Sequence, residues 1–235
     1  MTVEWLPTAK DAPEVRSTIA MRVYRALREA IVTMRLLPGN SLSEAEVAKQ
    51  MGTSRQPVRE AFIKLSEIGL VDIIPQRGTY VVKISARDVE NARFIREAVE
   101  VAIVQRACER ATASDIAEIN QLIAGQVHAA ESADQQRFLQ LDDGFHQAIA
   151  LSADCLFGWG IVEDLKAQMD RVRFLSLPEA TPIEKLIDQH RRIAAAIAAH
   201  DPNEAATAMR EHLSEIIKSL PKLSRRHAEL FSAVE

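Results

Sequence analysis

The stretch SEAEVAKQMGTSRQPVREAFIKLSEIGLVDIIPQRGTYVVK, residues 43–83, reads as two short helices, a tight turn and a β-ribbon with a basic tip. Ser43 and Glu46 have the S-x-x-E spacing of a capping box, which satisfies the free N–H groups at a helix start. Ala45, Val47, Ala48 and Met51 give the following turns an apolar face, and Gly52 suits the left-handed residue that ends them. Ser54 stands where a second helix takes its N-cap, with Pro57 tolerated in the first turn. Val58, Ala61, Phe62 and Leu65 recur at helical spacing and belong to a core face. Arg55, Gln56 and Arg59 gather on the other side, at the N-terminal end. Gly69 closes this helix, and LVDII and TYVVK read as strands around PQRG.

A helix that offers its N-terminal residues in this way is the kind that enters a DNA major groove. Arginine pairs bidentately with guanine O6/N7 and glutamine with adenine N6/N7. Arg77 at the ribbon tip suits a phosphate or the minor groove. A lone Arg-x-x-x-Arg reads better as an ordinary solvated helix face. Capped helix, glycine turn, basic helix start and basic wing tip in this order favour a DNA reader.

The motifs L-L-P-G at 36–39, L-S-E-A-E-V-A at 42–48, S-R-Q-P-V-R-E-A at 54–61 and P-Q-R-G at 75–78 resemble the winged helix of the GntR family of bacterial transcription regulators. The resemblance implies DNA contacts from Arg35, Ser54, Arg55, Gln56, Arg59, Arg77 and Gly78. Gln56 stands where many relatives carry Thr.

A chain of 235 residues has room for two domains, and 47% hydrophobic residues supply a core for both. Few aromatics and abundant alanine favour helices over a β-sandwich. Cys108 and Cys155 read as buried thiols, which fits a reducing cytoplasm. The chain has no apolar run of membrane-spanning length and no signal-peptide pattern, so the expected location is cytoplasmic with no membrane partner. Net charge is −4, but residues 1–83 carry +3 and the remainder −7. That asymmetry suggests a basic reading head on an acidic body, and a head of only +3 suggests that two act together.

The expected fold is mainly α: an N-terminal winged helix-turn-helix followed by an antiparallel bundle of six or seven helices. The expected division is a flexible arm at 1–14, a DNA-binding domain at 15–83, an effector-binding and dimerisation domain at 84–222, and a tail or short helix at 223–235. Helices are expected at about 85–110, 114–131, 133–152, 156–175, 182–200 and 202–220. Their starts are marked by S-x-x-D at 85–88, T-P-x-E at 181–184 and D-P-x-E at 201–204.

Four residues of the bundle have metal-ligand chemistry. Asp142 and His146, at i,i+4, project from one face of the third bundle helix, and His190 and His212 lie in the fifth and sixth. Three imidazoles and a carboxylate suit Zn²⁺, and also Ni²⁺, Mn²⁺ or Fe²⁺. Each histidine taken alone reads as an ordinary half-buried residue. However, L-D-D-G-F-H at 141–146, D-Q-H-R-R-I at 188–193 and M-R-E-H-L at 209–213 resemble the ligand positions of the FCD domain, the effector-binding bundle of the FadR subfamily. The resemblance implies a divalent metal at Asp142, His146, His190 and His212 with positions open to a ligand carboxylate. F-I-R-E-A-V-E at 94–100 resembles that family's R-x-x-L-E pattern, which implies Arg96 as an anion-binding residue oriented by Glu100. A surface Arg–Glu pair is the competing reading. Arg171 and Arg173 are further pocket candidates.

The expected function is a homodimeric repressor that is not an enzyme. It binds pseudo-palindromic double-stranded operator DNA and is controlled by a small carboxylate at the metal. A DNA-binding regulator with a purely structural metal is the alternative. A metal-dependent hydrolase is a further one, set against the lack of an H-E-x-x-H motif or a general base beside the ligands.

Overall fold

The computed structural model describes residues 18–233, so the expected arm at 1–14 lies outside the described residues. The first helix, α1 (Ile19–Val32), starts where the Thr18 hydroxyl accepts from the Met21 N–H. Val23, Leu27, Ala30 and Ile31 line its buried stripe. It is followed by the short strand β1 (Ser41–Leu42), α2 (Glu44–Gln50), α3 (Arg55–Glu67), β2 (Val71–Ile74) and β3 (Gly78–Val81). The strands form an antiparallel sheet in the order β1-β3-β2, with Val71 opposite Val81 and Ile74 opposite Gly78. The helix-turn-helix and the ribbon are where the sequence placed them, whereas α1 and β1 were not singled out in it.

Local chemistry explains the joints. Ser43 accepts from the Glu46 N–H and caps α2. Gly52 takes φ +61, a left-handed conformation that costs glycine nothing and lets α3 leave at an angle. Ser54 occupies the N-cap of α3, but its hydroxyl makes no cap bond. Phe62 and Leu65 of α3 are buried, as are Leu27 and Ile31 of α1, and α1 and α3 pack on each other.

The second unit begins at Arg87 and holds seven helices: α4 (Ala86–Arg110), α5 (Ala113–Glu131), α6 (Gln135–Ser152), α7 (Leu156–Ser176), α8 (Ile183–Ala198), α9 (Pro202–Leu213) and α10 (Glu215–Arg226). Its core joins Ile119 and Ile123 of α5, Phe138, Phe145 and Ile149 of α6, and Ile193 and Ile197 of α8. Three expectations are corrected. Helix α5 starts one residue early because Thr112 and Asp115 form a complete capping box. Pro182, not Thr181, holds the N-cap position of α8, and Thr181 is buried. The helix expected at 202–220 is two, α9 and α10, interrupted at Ser214, whose hydroxyl bonds back to the Glu211 carbonyl and competes with the helical ladder. Helix α10 then runs to Arg226 despite Pro221, and a 3₁₀ turn covers Ala228–Leu230. The residues from His227 on group with the first unit, not with the bundle.

Replacing Phe62 by Ala should destabilise the first unit by about 3–5 kcal/mol, the usual cost of emptying a buried aromatic site. Native-state hydrogen exchange at the α3 amides would report it; unchanged protection there would refute this account of the core.

Candidate metal centre and nucleic-acid interface

In the first unit, Ser54, Arg55, Gln56 and Arg59 are all exposed at the start of α3. Arg55 stands in solvent. Gln56 donates to Glu60 at 3.1 Å, and Arg59 makes a two-point contact with Glu44 at 2.9 and 3.2 Å. Arg59 is thereby held across the helix-turn-helix. Arg35 is similarly braced, by Glu29 at 2.5 Å and the Thr33 hydroxyl at 3.0 Å. At the ribbon tip Gln76 has φ +61 and Gly78 φ +116, and the Tyr80 hydroxyl donates to the Arg77 carbonyl at 2.8 Å. The Arg77 side chain remains exposed. All seven DNA-contact candidates therefore lie on the surface of the first unit.

In the bundle, Asp142 and His146 project from α6, His190 from α8 and His212 from α9, and all four are buried. One donor atom from each lies within 4.8 Å of every other. The Nε2 atoms of His146 and His212 are 3.2 Å apart, and those of His190 and His212 are 3.3 Å apart. Asp142 Oδ1 is 3.4 Å from His190 Nε2, and Oδ2 is 4.0 Å from His146 Nε2. Ligand atoms about 2.0–2.1 Å from a tetrahedral metal are about 3.3 Å from each other, so this spacing suits one small cation.

The tautomers follow from what holds the other ring nitrogens. His190 Nδ1 meets Gln126 Oε1 at 2.7 Å, His212 Nδ1 meets Gln189 Oε1 at 3.3 Å, and His146 Nδ1 lies against a Glu100 carboxylate oxygen. Each Nδ1 faces an oxygen acceptor and carries the proton, so each Nε2 turns a lone pair inward. Three converging lone pairs beside a carboxylate could hold a cation between them, and this outer-sphere pattern is one that orients metal-bound histidines. The residues present therefore fit a divalent metal. Burial pushes His190 down from 6.5 to about 3, the neighbouring His146, Arg173 and Arg96 adding to it against Asp142, and burial also holds His212 well below the usual range. Burial opposes ionisation of Asp142 and Glu100, but adjacent charges win. Arg173, His190 and His146 lower Asp142, while Arg96 and His146 bring Glu100 to about 2.

Beside the centre is a cavity of about 50 Å³ lined by Arg96, Asp142, Arg173, His212 and Glu215 among mostly apolar walls. Arg96 is buried and pairs with Glu100, but its Nη2 has no hydrogen-bond partner. Arg173 pairs with Asp142, and with Asp143 and Asp170 at 2.9 Å each. Arg171 does not line this cavity: it is fully buried, donates to Gln168 at 2.8 Å, and is lowered to about 10 by burial. Glu100 stands behind Arg96 and His146 and does not line the cavity either. Gln126, Gln189 and the buried Lys166, paired with Asp143 at 2.6 Å, were not anticipated. Gln126 did carry a signal, a polar residue in line with Ile119 and Ile123 on the buried face of α5.

The model of the FCD domain matches residues 91–215, and that of bacterial regulatory proteins of the gntR family matches residues 19–81. The HTH-type transcriptional repressor RspR of Escherichia coli is 42% identical over 214 residues, 91% of this chain and 94% of that protein. An HTH-type transcriptional regulator in an unstable DNA locus of Streptomyces ambofaciens is 33% identical, with 89% of this chain and 88% of that protein covered. Among solved structures, McbR/YncC of E. coli superposes with a TM-score of 0.78 at 24% identity, covering 88% of this chain and 98% of that one, and shares the fold.

An unfolded chain protonates both histidines below about pH 6.5, whereas the folded chain resists until about pH 3 at His190. Stability of the metal-free protein should therefore fall as pH drops from about 7 to about 5, seen as a falling thermal midpoint. Zn²⁺ at about 100 times its Kd should add about 2.7 kcal/mol to stability near neutral pH. His190→Ala should abolish that gain; an equal gain in the variant would refute the site.

Proposed function

The chain belongs to the GntR family of bacterial regulatory proteins and is a transcriptional regulator with an FCD domain, and from that premise we propose that it is a homodimeric repressor whose grip on operator DNA is set by a small carboxylate at the buried metal centre. The observation that carries this reading is the cavity beside the four donors, with the unpartnered Arg96 Nη2 in its wall. A divalent metal, zinc by its donor set, held by Asp142, His146, His190 and His212 would act as a Lewis acid toward one carboxylate oxygen. Arg96 would donate to the second oxygen, and Arg173, also in the cavity wall, would hold Asp142 in place. Site volume limits the ligand. A water needs about 10–15 Å³ by the same kind of measure, so about 50 Å³ holds a few water-sized groups, which suits a short-chain acid. A ligand changes DNA binding only if it prefers one arrangement of the protein, and the same preference makes DNA alter ligand affinity.

At the other end of the function, Arg55, Gln56 and Arg59 read bases while Arg35, Arg77, Ser54 and the Gly78 backbone position the duplex. Two copies on a pseudo-palindrome give the affinity that one modestly basic head lacks. The bundle offers a face for pairing them. Phe94 and Ile95 of α4 and Leu156, Phe157 and Ile161 of α7 are exposed, Phe157 by 85%. The two helices meet at side chains: a Cβ on Gly158 would come within 3.1 Å of Ile103, and Arg110 pairs with Asp154, just before α7, at 3.2 Å. One end of this stripe carries Arg106 and Arg110, and exposed Glu163 and Asp164 lie further along α7. A twofold axis through the stripe would set the basic end of one copy over the acidic residues of the other.

Arg55→Ala and Arg59→Ala should each lose about 1–3 kcal/mol of affinity for a duplex selected from a random pool by the intact protein. Unchanged binding would remove the reading-head assignment. Phe157→Asp should sediment as a monomer; a dimer would move the interface elsewhere. Chelation should abolish affinity for a bound short-chain acid, and acid binding that survives metal loss would make the metal purely structural.

A further inference from the structure

Both matched domains end before the last part of the chain: the family models stop at residues 81 and 215. Beyond them, residues from His227 on rejoin the first unit after the bundle has been completed. The contact is specific. Leu230 and Phe231 are buried, and Phe231 forms a parallel β-bridge with Ile84, the residue that follows the wing at the exit from the DNA-binding unit. The Ile84 N–H donates to the Leu230 carbonyl at 2.9 Å. Its carbonyl accepts from the Ser232 N–H at 2.9 Å and from the Ser232 hydroxyl at 3.3 Å. Ile84 is fully buried, so without the C-terminal segment its N–H and C=O would lose the partners that buried backbone groups require. The chain thus passes between the two units twice, at residues 86–87 and 226–227, and the two passages are hydrogen-bonded together within the first unit.

The second passage starts at the metal centre. His212 Nδ1 meets Gln189 Oε1 at 3.3 Å, and Gln189 Nε2 donates to Glu215 Oε1 at 3.1 Å. Glu215 and Ile216 are the first residues of α10 and line the cavity. Helix α10 then runs twelve residues to Arg226, directly before the segment that holds Ile84. We infer that His227–Ser232 is a strap that completes the DNA-binding unit and relays the state of the metal cavity, through α10, to the wing exit at Ile84. The relay rests on the proposed metal centre; the strap itself does not.

The relay needs evidence of energetic coupling and not of a path alone. The measurement is amide hydrogen exchange on the full chain, with and without Zn²⁺, compared with a chain ending at Arg226 and with Ser232→Pro. The proline removes both Ser232 donors to the Ile84 carbonyl, the N–H and the hydroxyl, and leaves Leu230 and Phe231 in place. The Ile84 amide should be protected in the full chain and exchange on the order of 100-fold faster after truncation. Zinc should change exchange at residues 70–86 in the full chain. In both variants that change should shrink or vanish while zinc affinity stays within about threefold. Ile84 exchange indifferent to truncation would overturn the strap. Zinc that binds the full chain without altering residues 70–86, or alters them equally in both variants, would overturn the relay. Zinc that fails to bind the full chain would refute the metal centre and the relay with it, leaving the strap to be decided by Ile84 alone.

Discussion

The bundle is organised around three imidazoles whose Nδ1 protons are claimed from outside, by Glu100 of α4, Gln126 of α5 and Gln189 of α8. That arrangement leaves three Nε2 lone pairs pointing at one another in a buried space next to a carboxylate. Burying such acceptors without a partner is unfavourable, and a cluster of this chemistry could hold a cation. The anchors and ligands together draw on α4, α5, α6, α8 and α9, so five helices are registered by one site. Phe145 stacks on His190 at 4.3 Å between ring centroids and carries this constraint into the apolar core.

Charge around the site is arranged in the same economy. Glu100 serves His146 and needs Arg96 beside it, and this is why a buried guanidinium stands in the cavity wall. Asp142, Asp143 and Asp170 surround Arg173, with Lys166 on Asp143 and over the Trp159 ring at 5.6 Å. Buried pairs of this kind add little net stability against apolar replacements, yet removing one member leaves the rest uncompensated. Such a network fixes geometry more than it stabilises.

Much of this was legible in the sequence. The S-x-x-E cap at Ser43, the glycines at 52 and 69 and the PQRG tip are local signals, and local signals fixed α2, α3 and the ribbon. The i,i+4 spacing of Asp142 and His146 put two donors on one face, but only the family likeness joined them to His190 and His212. The anchors Gln189 and Glu215 were not legible, because their roles exist only after four helices have packed. The break at Ser214 was missed because a helix-compatible sequence continues through it and a single back-bonded hydroxyl decides the matter. The strap was missed for a related reason: SRRHAELFSAVE has the pattern of a short helix, while its burial depends on Ile84, far earlier in the chain.

The contact between Ile84 and Phe231 also has a consequence for synthesis. Domains generally fold in order as a chain emerges, the N-terminal one first. Here the winged helix leaves the ribosome with a fully buried residue still short of its backbone partners, and those partners arrive only after the entire bundle has been made. The DNA-binding unit is begun before the bundle and finished after it. A nascent or prematurely terminated chain would therefore carry a DNA-binding unit with an open seam, and the bundle would already be complete before that seam closes.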